Sequence, residues 1–123
     1  MIMDRRNERS DNMKSALEFQ LAASVRRGEF DSIVLADDAG LVVAAAGAGV
    51  EQDAMAALSP RLAGKGLLWH GQLSSGEAAQ TLTVKPFVSQ DGPLYLCARG
   101  GILRLVSEEL HQSSRGVCRI LAQ

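Results

Sequence analysis

Ser32-Ile33-Val34-Leu35-Ala36-Asp37-Asp38-Ala39-Gly40-Leu41-Val42-Val43-Ala44-Ala45-Ala46 is the stretch on which the fold turns. Two apolar runs flank Asp-Asp-Ala-Gly, the composition of a tight turn. Asp side chains accept nearby backbone N–H groups, and Gly tolerates positive φ. The pattern predicts a β-hairpin. Neither strand alternates apolar with polar residues, so both faces are expected to be covered. That reading puts the hairpin at the centre of a sheet, with helices on at least one side.

Toward the N-terminus, Met13, Leu17, Leu21 and Val25 recur every four residues, with Ala16 beside them. This is the apolar stripe of a helix. Ser10 or Asp11 is placed to cap it, because either side-chain oxygen can accept free N–H groups of the first turn. Arg26 and Arg27 suit the negative end of its dipole, and Gly28 is expected to end it in the left-handed conformation. Residues 1–10 read as a flexible charged tail ahead of one domain spanning 11–123. They contain no apolar run of the signal-peptide type.

Toward the C-terminus, Gly47-Ala48-Gly49 closes the hairpin. Residues 51–63 read as a helix with Ala54, Met55, Leu58 and Leu62 on one side. Pro60 leaves two readings: a kink, or a second short helix capped by Ser59 with Pro60 in its first position. Gly64-Lys65-Gly66 is a break. Leu67-Leu68-Trp69-His70 reads as a short strand or a helix end, and residues 74–80 as a loop. Thr81 to Val88 alternates, with Leu82, Val84 and Val88 opposite Thr81, Thr83 and Lys85. It is a half-exposed strand that Pro86 assigns to an edge or a bulge. A turn at Gln90-Asp91-Gly92-Pro93 leads to a partner strand, Leu94 to Arg99. Leu103, Val106, Leu110, Val117 and Leu121 mark a last helix. Gly116 inside it costs about 1 kcal/mol relative to Ala, so the helix breaks there or another element packs closely. The order is helix, two strands, helix, a short strand if 67–73 forms one, two strands, helix. Short connections imply an antiparallel sheet, and helices on its faces give an α+β fold.

The chain has 123 residues, 46% of them hydrophobic, enough for one core. Its 13 basic and 14 acidic side chains leave a net charge of −1. No basic excess exists to neutralise phosphates, so nucleic acid is not an expected partner. The longest uncharged stretch, Ala39 to Val50, is too short to span a bilayer, so no membrane insertion is expected. Two cysteines, Cys97 and Cys118, form no disulfide framework. A cytoplasmic protein with reduced thiols is expected, with Cys97 a small buried hydrophobe.

No motif carries chemistry. Gly47-x-Gly49 lacks the third Gly of a dinucleotide loop, since position 52 is Gln, and Gly64-Lys65 lacks the Ser/Thr of a phosphate loop. His70 and His111 share no metal-ligand spacing. Asp37 and Asp38 serve a turn, and the serines lack a nucleophile elbow. The expectation is no catalytic, cofactor or metal site. Arg115 and Arg119 lie four apart on one helix face. They form either a solvated face balanced by Glu108 and Glu109 or a docking surface for an acidic partner.

The helix, the hairpin at 32–44, the Ala-rich helix at 51–63 and the strand pair at 81–99 together resemble the roadblock / dynein light chain family, over roughly residues 11–121. The resemblance implies a five-stranded antiparallel sheet, helices on its faces, the order α-β-β-α-β-β-β-α, and a homodimer formed by the second helix and the neighbouring edge strand. In this sequence those elements carry Ala54, Met55, Leu58, Leu62, Leu68 and Trp69. It also implies a non-enzymatic scaffold or a regulator of a small Ras-like GTPase. The residues argue the same way independently. Ala54, Ala56, Ala57 and Ala63 present small side chains around the second helix, which lets two helices approach closely. The alternative is a small-molecule sensor of the GAF or PAS type, with a ligand near Trp69, Phe87, Tyr95 and Cys97. The scarcity of aromatics counts against it.

Overall fold

The computed structural model describes residues 2–49, 51–63, 66–75 and 78–123, with side chains described from Asp11 onward except at 74, 75 and 78. The elements are α1 (Ile2–Gly28), β1 (Ser32–Asp37), β2 (Val42–Gly47), α2 (Gln52–Leu62), β3 (Trp69–Ser75), β4 (Ala78–Ser89), β5 (Gly92–Arg99) and α3 (Leu103–Leu121). The strands form one antiparallel sheet in the order β2-β1-β5-β4-β3.

Alternation along the central strands sorts the core into two layers. Ile33 and Leu35 of β1 and Leu94, Leu96 and Ala98 of β5 face α1 and α3, where they meet Leu17, Leu21, Val106, Leu110, Val117 and Leu121. Val34 and Ala36 of β1 and Tyr95 and Cys97 of β5 face α2, where they meet Met55, Ala56 and Ala63, joined by Leu82 and Val84 of β4. Both faces are thus covered at β1 and β5, as the unbroken apolar run of β1 requires.

Several expectations are corrected. The hairpin is not the sheet's centre: β5 pairs with the free side of β1, so β2 becomes an edge strand. Its small apolar residues are accounted for by α1, which lies over it. A bulge sits between Leu35 and Ala36: Leu35 pairs with Ala44 and Ala36 with Val42, leaving Val43 as the extra residue. Val43 and Ala44 consequently both pack toward α1 and α3.

Ser10 and Asp11 do not cap α1. The helix begins at Ile2, so they lie inside it, as do residues 2–10 of the expected tail. The positive-φ residue at its other end is Glu29, at 54°, and not Gly28. Gly28 is required for space, because a Cβ there would run into the Phe30 ring. Pro60 neither ends nor divides α2, which continues to Leu62.

Of residues 74–80, Ser74, Ser75 and residues 78–80 lie in strands and not in a loop, and residues 76–77 lie outside the described residues. Ser74 pairs with Ala79 and Ser75 with Ala78, the inner rungs of the β3–β4 hairpin. Strand pairing supplied what the polar composition concealed. β3 ends opposite Val84, so at Pro86 the strand has a single neighbour, β5. This is the local edge that a proline in a strand demands. Gly116 sits in an unbroken α3, and Gln20 of α1 packs against it.

Candidate functional site

The two faces of the sheet are unequally covered. α1 and α3 together roof one face. On the other, the 11 residues of α2 lie over β1 and β5 and leave the β3 side open. Between α2 and the outer strands lies a groove of about 330 Å³ lined by Glu51, Ala54, Met55, Leu58, Leu73, Gln80 and Leu82. Its floor is Met55 and Leu82, both buried, and its walls are the half-buried Leu58 and Leu73. β3 is the terminal strand on this side, and its outer edge has no partner among the described residues.

The residues expected at a dimer face fall around this groove in three ways. Ala54 and Leu58 line it directly, with Ala54 exposed. Met55 is buried in the α2-side core, and Leu62 and Trp69 pack at that core's margin. Leu68 precedes β3 and is 41% exposed. The outward face of α2 carries Ala54 and Ala57, both exposed, so its helix axis is accessible to close approach.

Ser59 precedes the proline on the buried side of α2. Its hydroxyl is fully buried and donates to the Met55 carbonyl at 2.7 Å, a bond local to the helix. The β1–β2 turn abuts this helix: Gly40, at φ +80°, would bring a Cβ to 3.1 Å from the Ala57 Cα. Asp37 holds the turn by accepting the Ala39 and Leu41 N–H groups, both at 3.0 Å. Asp38 accepts the Tyr95 hydroxyl at 3.0 Å. Burial, reinforced by that carboxylate, raises the Tyr95 pKa. The two aspartates are therefore committed to the turn and to β5.

The other face carries a polar seam that the sequence reading did not find. Gln20 and Ser24 of α1 meet Ser113 of α3, and Glu109 takes a bidentate pair of hydrogen bonds from Arg27, at 3.0 and 3.1 Å. The hydrogen bond to Glu109 raises the Arg27 pKa. Glu109 is therefore spent on Arg27 and does not balance Arg115 and Arg119. Both of those arginines are exposed, and Arg119 joins Gln20 and Arg27 around the cleft between α1 and α3. The signal for the seam was Ser113 and Gly116 on the stripe that buries α3. Small and polar residues there call for a close polar partner.

The remaining candidates are structural. Cys97 is fully buried, and burial pushes its thiol up to about 12, with the Ser59 hydroxyl pulling weakly the other way. It is a poor nucleophile there. His70 is exposed and its Nδ1 lies 2.9 Å from the Thr83 hydroxyl on the neighbouring strand. His111 is exposed on α3. Among the described residues, no group of His, Cys, Asp and Glu could hold a metal ion, and no helix is long and apolar enough to cross a membrane.

No family model matches the sequence, and no curated protein matches it. Solved structures do. MglB of Myxococcus xanthus superposes with a TM-score of 0.66 at 14% identity, covering 88% of this chain and 89% of that one. The gliding protein MglB of Thermus thermophilus gives 0.65 at 17% identity, with 88% and 90% covered. A further MglB, described in a tetrameric arrangement, gives 0.64 at 15% identity, with 88% and 89% covered. The likeness covers nearly the whole of both partners, and the fold of this chain is roadblock-like.

Proposed function

We propose that this chain is a non-catalytic regulatory module of the cytoplasm that works as a homodimer and binds a small Ras-like GTPase. The observation that carries the dimer is the half-roofed face. A second copy placed against β3 would pair the free strand edges and lay α2 on α2 over the open groove. Such a contact is self-complementary, as a two-fold dimer needs. Ala54 and Ala57 keep the helix surface low, while Leu58, Leu62, Leu68 and Trp69 supply apolar area. The likeness to MglB structures, one of them in a tetrameric arrangement, supports a fold able to self-associate. The GTPase rests on the roadblock resemblance. Arg115 and Arg119 are the proposed contact for an acidic patch on the partner.

The test is a binding titration of the purified chain with small GTPases encoded near its gene, each loaded with GDP or a non-hydrolysable GTP analogue. The reading expects binding that differs between the two nucleotide states and weakens in R115E/R119E. If no GTPase binds in either state, that part of the reading falls.

The sensor alternative fares worse. Phe87 packs into the layer under α1 and α3, whereas Trp69, Tyr95 and Cys97 belong to the layer under α2. Phe87 and Tyr95 border one depression at the turn end of the sheet, and its described lining includes neither Trp69 nor Cys97.

A further inference from the structure

A second apolar surface shares no lining residue with the α2–β3 groove. It lies where the β1–β2 and β4–β5 turns meet. Two adjoining depressions share Asp38, Pro93 and Leu94. One, of about 420 Å³, is lined by Val43, Leu94 and Leu121 together with Asp37, Asp38 and Asp91. The other, of about 350 Å³, adds Pro86, Val88 and Tyr95. Val88 is 77% exposed and Leu41, in the turn, is 64% exposed, so apolar surface faces solvent across this end.

Among the described residues, every ionisable group lining the larger depression is an aspartate. Among the described residues the only ion pair in the molecule is Arg27–Glu109, so no described cation neutralises these three. Asp37 and Asp38 are also held in place. Oδ1 of Asp37 fixes the turn and Oδ1 of Asp38 holds the Tyr95 hydroxyl, which leaves each a second oxygen. No hydrogen bond to the Asp91 carboxylate occurs among the described residues, while the Asp91 backbone N–H is anchored on Ser89. Preorganised carboxylates beside an apolar floor cost little ordering when they meet a cation.

We propose that this end of the sheet docks a segment of a protein partner that sets an apolar anchor beside Lys or Arg side chains. The Val43–Leu94–Leu121 floor takes the anchor. The three carboxylates orient the segment and speed its arrival more than they tighten it. Neither depression shares a lining residue with the α2–β3 groove, although the smaller one reaches the end of α2 at Ala63 and Gly66. The proposal does not rest on the GTPase reading, and either can fail without the other.

The experiment is an NMR titration of the full-length, 15N-labelled chain with two synthetic peptide probes. One carries leucines and arginines; the other has each arginine replaced by glutamate. Expected are saturable shifts confined to the amides around Ala39, Val43, Asp91, Leu94 and Leu121 with the arginine peptide alone. Binding should weaken roughly tenfold in D38N/D91N, where the amide oxygen introduced beside Tyr95 still accepts its hydroxyl. It should also weaken as salt rises from about 0.05 to about 0.5 M. V88S, an exposed change that spares the core, should weaken it as well. Equal response to both peptides, shifts that map to the α2–β3 groove, or no shifts at all would overturn the proposal. So would a change in the turn-end resonances of the peptide-free chain on R5E/R6E/R9E, which would mean that this protein's own N-terminal segment is the occupant.

Discussion

The two faces of the sheet are made by the same alternating strands yet finished differently. One carries two helices, of 27 and 19 residues, with a polar seam between them; the other carries a single helix of 11. On the first face α3 has eight buried positions, including Glu109, Ser113 and Gly116, so its packing is satisfied within the chain. On the second, α2 has three, and Leu58 and Leu73 border an open groove. The contrast separates folding from association. The α1–α3 face stabilises the monomer, and the α2–β3 face holds surface that the monomer leaves unspent.

The largest test of that division removes core volume from each face in turn. Leu110→Ala, on the closed face where Leu110 is fully buried, should cost about 3 kcal/mol and lower the urea midpoint sharply. Leu58→Ala, on the open face, should cost less than about 1 kcal/mol in the monomer, since the side chain is only half-buried. Comparable losses at the two sites would erase the distinction.

The polar seam gives the next effect. Arg27→Ala strands the Glu109 carboxylate, which is 9% exposed, and should cost about 1–2 kcal/mol in thermal unfolding. Glu109→Gln, which leaves unpaired only the half-exposed Arg27 charge, should cost less. The ordering of the two variants matters more than either value.

The α2-side core contributes a pH signature. The Cys97 thiol is pushed up to about 12 in the fold, above its ordinary value of 9.0. A raised folded pKa means that the folded state holds the proton longer. Its stabilising effect is complete below pH 9 and is lost as pH rises from 9 toward about 12. Stability should fall over that window by up to about 1.4 kcal/mol per pH unit, and Cys97→Ala should remove that component. In the native protein near pH 8, a thiol reagent should label the half-buried Cys118 and spare Cys97 until unfolding. The smallest expected change is Gly116→Ala. The new methyl meets only the far end of the Gln20 side chain, which can move, so the helix gains up to about 1 kcal/mol of propensity.

Legibility in the sequence followed the same division. The elements whose signal is local were plain: the α1 stripe, the Asp-Asp-Ala-Gly turn, the β4–β5 pair and the α3 stripe. β3 and the start of β4 were not, because a polar hairpin arm takes its structure from the strand it pairs with. The rank of β2 in the sheet was misread for a related reason. An apolar run also suits an edge strand under a long helix: β2 is half-buried, with Ala44 alone fully inside. The groove was half legible. Small and apolar residues on α2 marked a contact surface, but which of them face outward depends on how the helix sits on β1 and β5. The α1–α3 network could not be seen, since its members lie 82 to 93 residues apart in the chain.

The central claim is that the open face is finished by a second copy. Sedimentation of the intact chain at micromolar concentration tests it most directly, alongside A54E and L58R, which place charge in the groove while leaving the closed face untouched. The account predicts a dimer for the natural sequence and folded monomers for both variants. A natural sequence that stays monomeric across the concentration range, or variants that remain dimeric, would contradict it.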